Sequence, residues 1–343
     1  MTAEHSPPTY TQPLTLRGRS LANRLCLAPM AGLGHIAYRA VAARYGGYGL
    51  LFTGMCSARA VPQEHRYKSP VFNWQDSELP TLVCQLFGAD PNDMVLAAER
   101  VQQENFFGVD INMGCSVAPI VQKQCGADLM RDVDRACEMV QKVRKAVDIP
   151  LFVKFRTGWQ NEVEPAIAFA KMLEQAGADA LTFHPRVAPD RRTRPPRLDD
   201  IKLVTDAVSI PVFGNGDVWD AASAQAMEDR TGCDGIAIGR AAISKPWMFA
   251  ELSEGFQPTP ETYRDALFLF LHELERWYDP TRAIKLYKKY CMYFAANFTF
   301  GNRLFGQLIA GKSMETMRAN AERCFGENIP QISQSLNALM MNR

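Results

Sequence analysis

Residues 146–156 read AVDIPLFVKFR, and residues 207–215 read AVSIPVFGN. In both stretches Ala-Val precedes Ile-Pro, and a short run rich in apolar residues follows. A proline at this position stops a helix, and the run that follows has the composition of a buried strand. The sequence therefore repeats a unit in which a helix leads into a short strand.

Eight apolar segments of this kind alternate with amphipathic helical stretches. They span residues 25–30, 49–55, 81–87, 108–113, 150–156, 179–184, 211–215 and 235–240. Strands buried on both faces and separated by helices are typical of parallel sheets. Eight of them favour a (β/α)8 TIM barrel over an open doubly wound sheet. The predicted fold class is therefore α/β.

The pattern changes at both ends of this region. Residues 1–13 are polar and rich in proline, so we expect a disordered N-terminal tail there. The barrel is predicted to occupy residues 14–252, followed by a linker at 253–260. From 261 to 343 only helical patterns appear, which predicts a C-terminal all-helical domain.

The composition is that of an ordinary globular protein. Lys and Arg number 38 and Asp and Glu 37, so a polyanionic partner has to be bound by local basic patches. The nine cysteines are scattered and lack metal-ligand spacing, which indicates a reducing compartment and no metal. We find no signal peptide and no apolar run that spans a membrane. A cytoplasmic protein is predicted, and the pattern says nothing about oligomeric state.

Functional groups of TIM barrels gather at the carboxyl ends of the strands. The residues at these positions are Pro29, Met30, Ala31, Gln85, Asn112, Cys115, Lys154, Arg156, His184, Arg186, Asn215, Gly216, Asp217, Gly239 and Arg240. Glycines after the last two strands let backbone N–H groups approach a phosphate, and Arg240 adds positive charge. The sequence therefore predicts a phosphorylated ligand.

Cys115 differs from the other cysteines because it follows a polar strand end. A thiol with its ordinary pKa of about 8.5 is mostly protonated at neutral pH and can act as a general acid. Lys154 could stabilise the anionic form of a conjugated ring such as a reduced flavin. A lone lysine after an apolar strand can simply extend its charged end to water, and a lone histidine is more often structural than catalytic. The occurrence of both at the rim of one barrel favours a functional role.

Seven motifs in chain order make the sequence resemble the flavin-dependent tRNA-dihydrouridine synthases. They are LAPMAG (27–32), QLFG (85–88), DINMGC (110–115), GADLM (126–130), VKFRTG (153–158), GNGDV (214–218) and IGRAA (238–242). The resemblance implies FMN at the barrel mouth, NADPH as reductant and tRNA as substrate. It also implies an RNA-binding role for the helical domain.

The resemblance assigns roles to individual residues. The FMN phosphate would lie near Asn215, Gly216, Asp217, Gly239 and Arg240, and the ring near Pro29, Met30, Ala31, Gln85, Lys154 and His184. Hydride would reach C6 of a uridine, and Cys115 would protonate C5. Asn112 would orient the base, with Arg156 and Arg186 also on the substrate side.

The chain departs from the family pattern at three places. Ser116 stands where proline usually follows the catalytic cysteine, and Gly54 stands where many members have glutamate. The stretch His184-Pro185-Arg186-Val187 replaces His-Gly-Arg-Thr. The histidine and arginine are kept, so these departures concern the subfamily and the uridine position.

Two stretches are locally basic and could contact RNA. Residues 185–197 contain five arginines and one acid, and residues 280–314 contain no acid at all. On a helix, Ile284, Tyr287, Cys291, Phe294 and Phe298 form one apolar stripe, with Arg282, Lys285 and Lys289 on the opposite side. We expect these three cations to contact tRNA phosphates.

Other functions fit parts of the pattern. A flavin enzyme acting on a free pyrimidine, of the dihydroorotate or dihydropyrimidine dehydrogenase type, would also carry a reactive residue near the fourth strand, but the basic helical domain argues against it. A flavin-free phosphosugar lyase or isomerase could use Lys154 as a Schiff base. A catalytically inactive RNA-binding module is disfavoured by the complete set of polar strand ends.

Overall fold

The computed structural model describes residues 7–188, 190 and 194–342. The chain divides into two compact units. The first contains the chain up to Pro29 together with Tyr48–Ile238, and the second contains Met30–Gly47 and the chain from Gly239 onward. The first unit holds the strands, and the second is helical.

The first unit is a barrel of parallel strands preceded by a β-hairpin. The strands are β1 (Leu14–Leu16), β2 (Arg19–Leu21), β3 (Leu25–Leu27), β4 (Leu51–Phe52), β5 (Cys56–Ser57), β6 (Leu82–Phe87), β7 (Gly108–Met113), β8 (Leu151–Gly158), β9 (Ala180–Val187), β10 (Val212–Asn215) and β11 (Gly235–Ile238). The sheet order is β3-β11-β10-β9-β8-β7-β6-β4, and a parallel bridge between Cys26 and Leu50 joins its ends. The predicted TIM barrel is confirmed, with β5 as an additional short strand beside β6.

Alternation along the strands separates an apolar layer from a polar one. Phe152 of β8 and Phe213 of β10 belong to the apolar core, to which the β1-β2 hairpin adds Leu16 and Leu21. Residues two positions apart in a strand point to the same face. The next residues on the same faces are Lys154 and Asn215, so the strands carry polar side chains into the carboxyl end of the barrel.

Helices of the first unit connect the strands. They are α2 (Pro91–Gln103), α3 (Ala118–Val121), α4 (Val133–Ala146), α5 (Glu164–Ala176), α6 (Leu198–Thr205) and α7 (Ala221–Thr231). Asp90, Asp132 and Asp220 accept hydrogen bonds from backbone N–H groups in the first turns of α2, α4 and α7. These caps satisfy donors that have no partner inside the helix, and they fix where each helix begins.

The second unit is helical, as predicted for the C-terminal region. Its helices are α1 (Ile36–Tyr45), α8 (Arg240–Ser244), α9 (Met248–Glu254), α10 (Pro260–Trp277), α11 (Pro280–Phe294), α12 (Gly301–Leu308), α13 (Met314–Phe325) and α14 (Ala338–Met341). Among the described helices of both units, none combines the length and apolar character needed to cross a membrane.

The boundary of the helical unit differs from the predicted linker at 253–260. Helices α1, α8 and α9 belong to this unit with α10–α14. The Tyr38 hydroxyl donates to the Ala242 carbonyl (2.5 Å), and the Tyr45 hydroxyl donates to the Thr262 carbonyl (3.2 Å). These bonds join α1 to the C-terminal helices, so residues 30–47 belong to the helical unit. Its C-terminal segment begins at Gly239 and not after the predicted linker.

The N-terminal segment also differs from expectation. Thr9–Thr11 form a turn of 3-10 helix, and Tyr10 is buried. The Tyr10 carbonyl accepts from the Arg24 N–H (2.8 Å), and the Thr9 N–H donates to Glu228 (2.6 Å). The predicted disorder of residues 1–13 is therefore wrong for residues 9–11, while residues 1–6 lie outside the described part.

Candidate active site

Five of the predicted site residues meet at the carboxyl end of the barrel. They are Gln85, Asn112, Lys154, His184 and Asn215. Strand register explains the arrangement, since Asn112 of β7 pairs with Lys154 of β8 and His184 of β9 pairs with Arg156. The parallel sheet therefore brings together side chains that are far apart in sequence.

A chain of hydrogen bonds runs across this end of the barrel. The Gln85 Nε2 amide donates to Asp110 Oδ2 (2.5 Å), and Asn112 Nδ2 donates to Gln85 Oε1 (2.9 Å). Asn112 Oδ1 then accepts from the backbone N–H groups of Gly114 (3.2 Å) and Cys115 (2.9 Å). We refer to Asp110, Gln85 and Asn112 as the amide chain.

The direction of the amide chain follows from its first member. The Asp110 Oδ2 oxygen accepts from Gln85, so Gln85 turns its NH₂ group towards Asp110. Its carbonyl oxygen then faces Asn112, which leaves the Asn112 oxygen to accept from the loop that carries Cys115. Asp110 thus determines the orientation of two amides and, through them, the anchoring of the cysteine loop.

The loop after Cys115 is held from its other side by Gly126. This glycine has a φ of +63°, and a Cβ there would lie 2.5 Å from the Cys115 carbonyl oxygen. The same carbonyl accepts from the Ala127 N–H (2.9 Å). A glycine is therefore required in the GADLM motif, both for its left-handed backbone and for close approach to the cysteine loop.

Ser116, the residue that replaces the usual proline, has a contact of its own. Its hydroxyl accepts from the Arg156 guanidinium (3.1 Å), which also donates to the Val187 carbonyl (3.0 Å). Arg156 therefore ties the cysteine loop to β9. A side-chain hydrogen bond here supplies restraint that a proline ring would supply through its fixed φ.

Two opposite charges are placed in the barrel interior. Asp110 is fully buried (0% exposed), and burial raises its pKa to about 7, although Gln85 and Lys154 act in the opposite direction. Burial and the nearby Arg156 lower the pKa of Lys154 to about 8, while Asp110 raises it. Each group thus favours the charged form of the other at neutral pH.

His184 is held in one tautomer. Its Nδ1 lies 2.8 Å from the Asn215 carbonyl oxygen, which can only accept, so Nδ1 carries the proton. Burial and the positive charges of Lys154 and Arg156 lower the pKa of His184 well below its usual value. The imidazole is therefore neutral, and its Nε2 presents a lone pair.

The residues that follow β10 make contacts that the sequence did not predict. Asp217, predicted to lie near a phosphate, pairs with Arg186 (2.8 Å), predicted to lie on the substrate side. A Cβ at Gly216 would lie 2.8 Å from the Pro196 side chain. Packing against Pro196 is thus sufficient reason for glycine at this position, independent of any phosphate.

Of the remaining predicted residues, Pro29 ends the first segment of the barrel unit, and the others belong to the helical unit. Arg240 donates to the Met341 carbonyl (2.9 Å) and contacts Asn342. Ala31 accepts from Lys289, which lies in α11 with Arg282 and Lys285. Met30 and Gly239 are also in this unit. These contacts give Arg240 and Lys289 structural roles within the unit.

Asp110 is the site residue that sequence reasoning missed. Its one visible sign is an acid inside the otherwise apolar stretch GVDINM. Burying a carboxylate is costly unless it is paired and hydrogen-bonded. An acid in the middle of a predicted buried strand could therefore have been singled out, although its partners could not have been.

Comparison with solved structures places the fold among the TIM-barrel proteins. A 2-naphthoyl-CoA reductase complex matches with a TM-score of 0.56 and 14% identity, covering 72% of this chain and 52% of that one. An old yellow enzyme homologue from Zymomonas mobilis matches with a TM-score of 0.52 and 16% identity, covering 74% and 94%. At these identities the likeness shows the fold alone.

The sequence comparisons identify the family. A family model described as dihydrouridine synthase matches residues 26–322. The chain is 31% identical to tRNA-dihydrouridine synthase B of Pseudomonas aeruginosa over 316 residues, covering 90% of this chain and 94% of that protein. It is 33% identical to a probable tRNA-dihydrouridine synthase 1 of Synechocystis sp., covering 74% and 72%. The chain belongs to the dihydrouridine synthase family and is a flavin-dependent oxidoreductase.

Proposed function

We propose that this enzyme reduces the C5=C6 bond of specific uridines in tRNA, with FMN as its flavin, NADPH as reductant and Cys115 as general acid. The observation that carries the proposal is the anchored cysteine loop at the barrel end that also contains Lys154 and His184. The names of the relatives support tRNA as substrate.

The polar groups at the carboxyl end of the barrel are suited to binding a flavin. Within the described residues, Asp110 Oδ1 and Arg156 Nε are buried without a hydrogen-bond partner, whereas buried polar atoms are nearly always satisfied. Lys154, Gln85 and His184 would hold the ring together with Pro29, and Asn215 and Gly216 would contact the phosphate. For Met30, Ala31, Asp217, Gly239 and Arg240 the cofactor assignment rests on the sequence.

When bound, a flavin would accept two electrons from NADPH and would supply the hydride for C6 of the uracil ring. The protein must then stabilise negative charge and deliver one proton. Lys154 carries a positive charge at neutral pH, and His184 is neutral and cannot compete as an acid. The family resemblance assigns this proton to the thiol of Cys115, which the anchored loop holds at the same end of the barrel.

Protonation forms the C5–H bond and leaves Cys115 as a thiolate. The thiolate then takes a proton from water. Asn112, predicted to orient the base, uses both ends of its amide within the protein. Asn112 therefore also positions the thiol, and its second N–H is available to the base.

The experiment that tests the proposal is mapping of dihydrouridine in RNA from cells that lack the protein. We expect specific tRNA positions to lose dihydrouridine, and we expect the wild-type gene but not Cys115→Ala to restore it. An unchanged dihydrouridine profile, together with no activity of the purified protein on unmodified tRNA, contradicts the proposed function.

We expect the purified protein to be yellow, with one FMN per chain that is released on denaturation. The glycines at the last two strand ends suit a single phosphate better than a dinucleotide. Absorbance and mass spectrometry of the released cofactor measure identity and stoichiometry. Stoichiometric FAD, or no flavin retained at saturating FMN, contradicts this prediction.

The predicted RNA-binding face of α11 contains three cations in different environments. Arg282 lies 5.5 Å from the Tyr278 ring centroid, and Lys289 donates to Ala31. Lys285 is exposed, and within the described residues it makes no hydrogen bond or ion pair. The buried side of the helix contains Tyr287, Cys291 and Phe294, as predicted. Lys285 is thus the cation best placed for a phosphate.

We expect Lys285→Ala to weaken tRNA binding without changing the melting temperature. Loss of one phosphate contact should make the slope of log K against log salt shallower by about 0.7 to 0.9. Fluorescence anisotropy over a salt series measures the tRNA affinity and its salt slope. Lys171→Ala, which changes an exposed lysine of α5, is the matched control. The triple variant with Arg282→Ala and Lys289→Ala should lose more affinity but also stability.

Unchanged affinity and salt slope in Lys285→Ala place the RNA surface elsewhere. The arginine-rich stretch at 185–197 is then the next candidate. Residues 189 and 191–193 of that stretch lie outside the described part of the chain.

A further inference from the structure

The helical unit contains a cavity of about 780 Å³ that no catalytic assignment uses. It lies beside α12 and α13, and its lining includes Phe300, Arg303, Gln307, Asn320 and Arg323. Its volume falls within the range of about 300 to 1,000 Å³ that small-molecule sites occupy. Apolar residues such as Leu304 and Cys324 also line it, while Phe300, Arg303 and Gln307 follow one another from the start of α12 along that helix.

Phe300 presents an aromatic ring to solvent at the edge of this cavity. It is 73% exposed, whereas Phe298, two residues earlier, is buried. The turn that carries it is tight, because a Cβ at Gly301 would lie 2.3 Å from the Ala295 carbonyl oxygen. The backbone therefore holds the ring outward, and an exposed ring of this size is a ready platform for stacking.

Positive charge follows the ring along the helix. Arg303 is exposed, three residues after Phe300, and in the described part of the chain its guanidinium forms no hydrogen bond or ion pair. Arg323 faces the same cavity and is held by Asn320, whose amide donates to the Ala310 carbonyl (2.5 Å). None of the described lining residues is acidic. The cavity accordingly attracts an anion.

Gln307 supplies the third kind of group. It follows Arg303 by four residues, which places the two side chains on one face of α12. It is exposed, and its amide offers one donor and one acceptor side by side. These three groups suit the three parts of a nucleotide. The Phe300 ring can stack on the face of a base, Arg303 can bind a phosphate, and the Gln307 amide can hydrogen-bond to the edge of the base.

We propose that this cavity binds one unpaired nucleotide of the RNA substrate. Its base stacks on Phe300, its phosphate lies at Arg303 and Arg323, and its edge hydrogen-bonds to Gln307. The inference rests on the proposed function for the identity of the RNA. An acidic peptide would use the arginines but gain little from the exposed ring, so the ring favours a nucleotide.

The test compares variants of the full-length, flavin-loaded protein for tRNA affinity. Phe300→Ala should weaken binding by about 5- to 150-fold, the usual cost of losing one stacked base, and Phe300→Trp should retain most of the affinity. Arg303→Ala should weaken binding and make the salt slope shallower by about 0.7. Leu339→Ala and Lys171→Ala change an exposed apolar and an exposed basic residue outside the lining and serve as controls.

The outcomes separate this proposal from the proposed function. If the wild-type protein forms dihydrouridine but Phe300→Ala and Arg303→Ala bind tRNA as tightly as the controls do, the cavity is not an RNA site and the proposed function stands. If poly-glutamate displaces tRNA as effectively as oligouridylate does, the surface is a general anion site and the stacked nucleotide is wrong. Absence of any tRNA binding by the wild type overturns the proposed function itself.

Discussion

Replacing Cys115 with alanine should lower dihydrouridine formation by about 10²- to 10⁴-fold, the usual contribution of one positioned general acid. Flavin binding and NADPH oxidation should be largely unaffected, because hydride loading of the flavin does not require a proton at C5 of uracil. Single-turnover reduction of unmodified tRNA, measured beside steady-state NADPH oxidation, separates the two half-reactions. Product formation near the wild-type rate contradicts the assignment of Cys115.

The control for this experiment follows from the structure. Cys125 is buried immediately before Gly126, which packs on the cysteine loop, so Cys125→Ala could disturb Cys115 indirectly. Cys137 lies on α4 and is a partly exposed free thiol. Cys137→Ala should leave both half-reactions unchanged. Cys115→Ser should be nearly as slow as the alanine variant, since a hydroxyl is a much weaker acid.

The barrel was predictable because buried parallel strands leave a direct mark on the sequence. Each strand is a continuous apolar run, and a helix pattern separates it from the next. The polar residues at strand ends were predictable for the same reason, since the carboxyl ends of parallel strands share one rim. Gln85, Lys154 and His184 were all identified in this way and meet at that rim.

The division into units was not predictable from local patterns. Helix α1 has the sequence of an ordinary barrel helix, but its tyrosines bond to Ala242 and Thr262, which are 204 and 217 residues away from them. Such contacts depend on the packed structure. The same holds for α11, where a helical wheel gives the correct buried side but not the Lys289 contact with Ala31, 258 residues earlier.

The amide chain shows where residue-by-residue reasoning stops. Asp110 and Gln85 are 25 residues apart, and Gln85 and Asn112 are 27 apart. The sequence presents each of them as an independent residue, and it places Asp110 in a predicted strand and in the DINMGC motif without indicating its partners. Their cooperation exists because β6 and β7 are paired in register, so that Gln85 stands opposite Asp110.

Two substitutions at Asp110 should separate its hydrogen bond from its charge. Asp110→Ala removes the acceptor for Gln85, so the amides lose their fixed orientation and the Cys115 loop loses its anchor. A misplacement of about 1 Å costs about 10²-fold in rate, and we expect dihydrouridine formation to fall by that amount. The rate of Cys115 alkylation by iodoacetamide, read by mass spectrometry, should change as well, which reports on the loop independently of catalysis.

Asp110→Asn keeps an oxygen that can accept from Gln85 but removes the negative charge beside Lys154. Because that charge raises the pKa of Lys154, its loss should move this pKa below about 8. Lys154 acts as a cation, so the rate of flavin reduction should fall as rising pH removes its proton. In Asp110→Asn this fall should begin at a lower pH than in the wild type. The cysteine alkylation rate should stay near the wild-type value.

Asp148→Asn, an exposed acid just before β8, is the matched control and should change neither rate nor pH profile. If Asp110→Ala does not fold, Gln85→Leu breaks the amide chain one bond later and should reproduce the loss of dihydrouridine formation and the altered alkylation rate. The assignment is wrong if both Asp110 variants keep the wild-type flavin content, rates, pH profile and thiol reactivity. The buried carboxylate then positions neither the Cys115 loop nor Lys154. If instead Asp110→Ala changes the alkylation rate of Cys115 and Asp110→Asn shifts the pH profile, Asp110 both anchors the cysteine loop and supplies the charge beside Lys154.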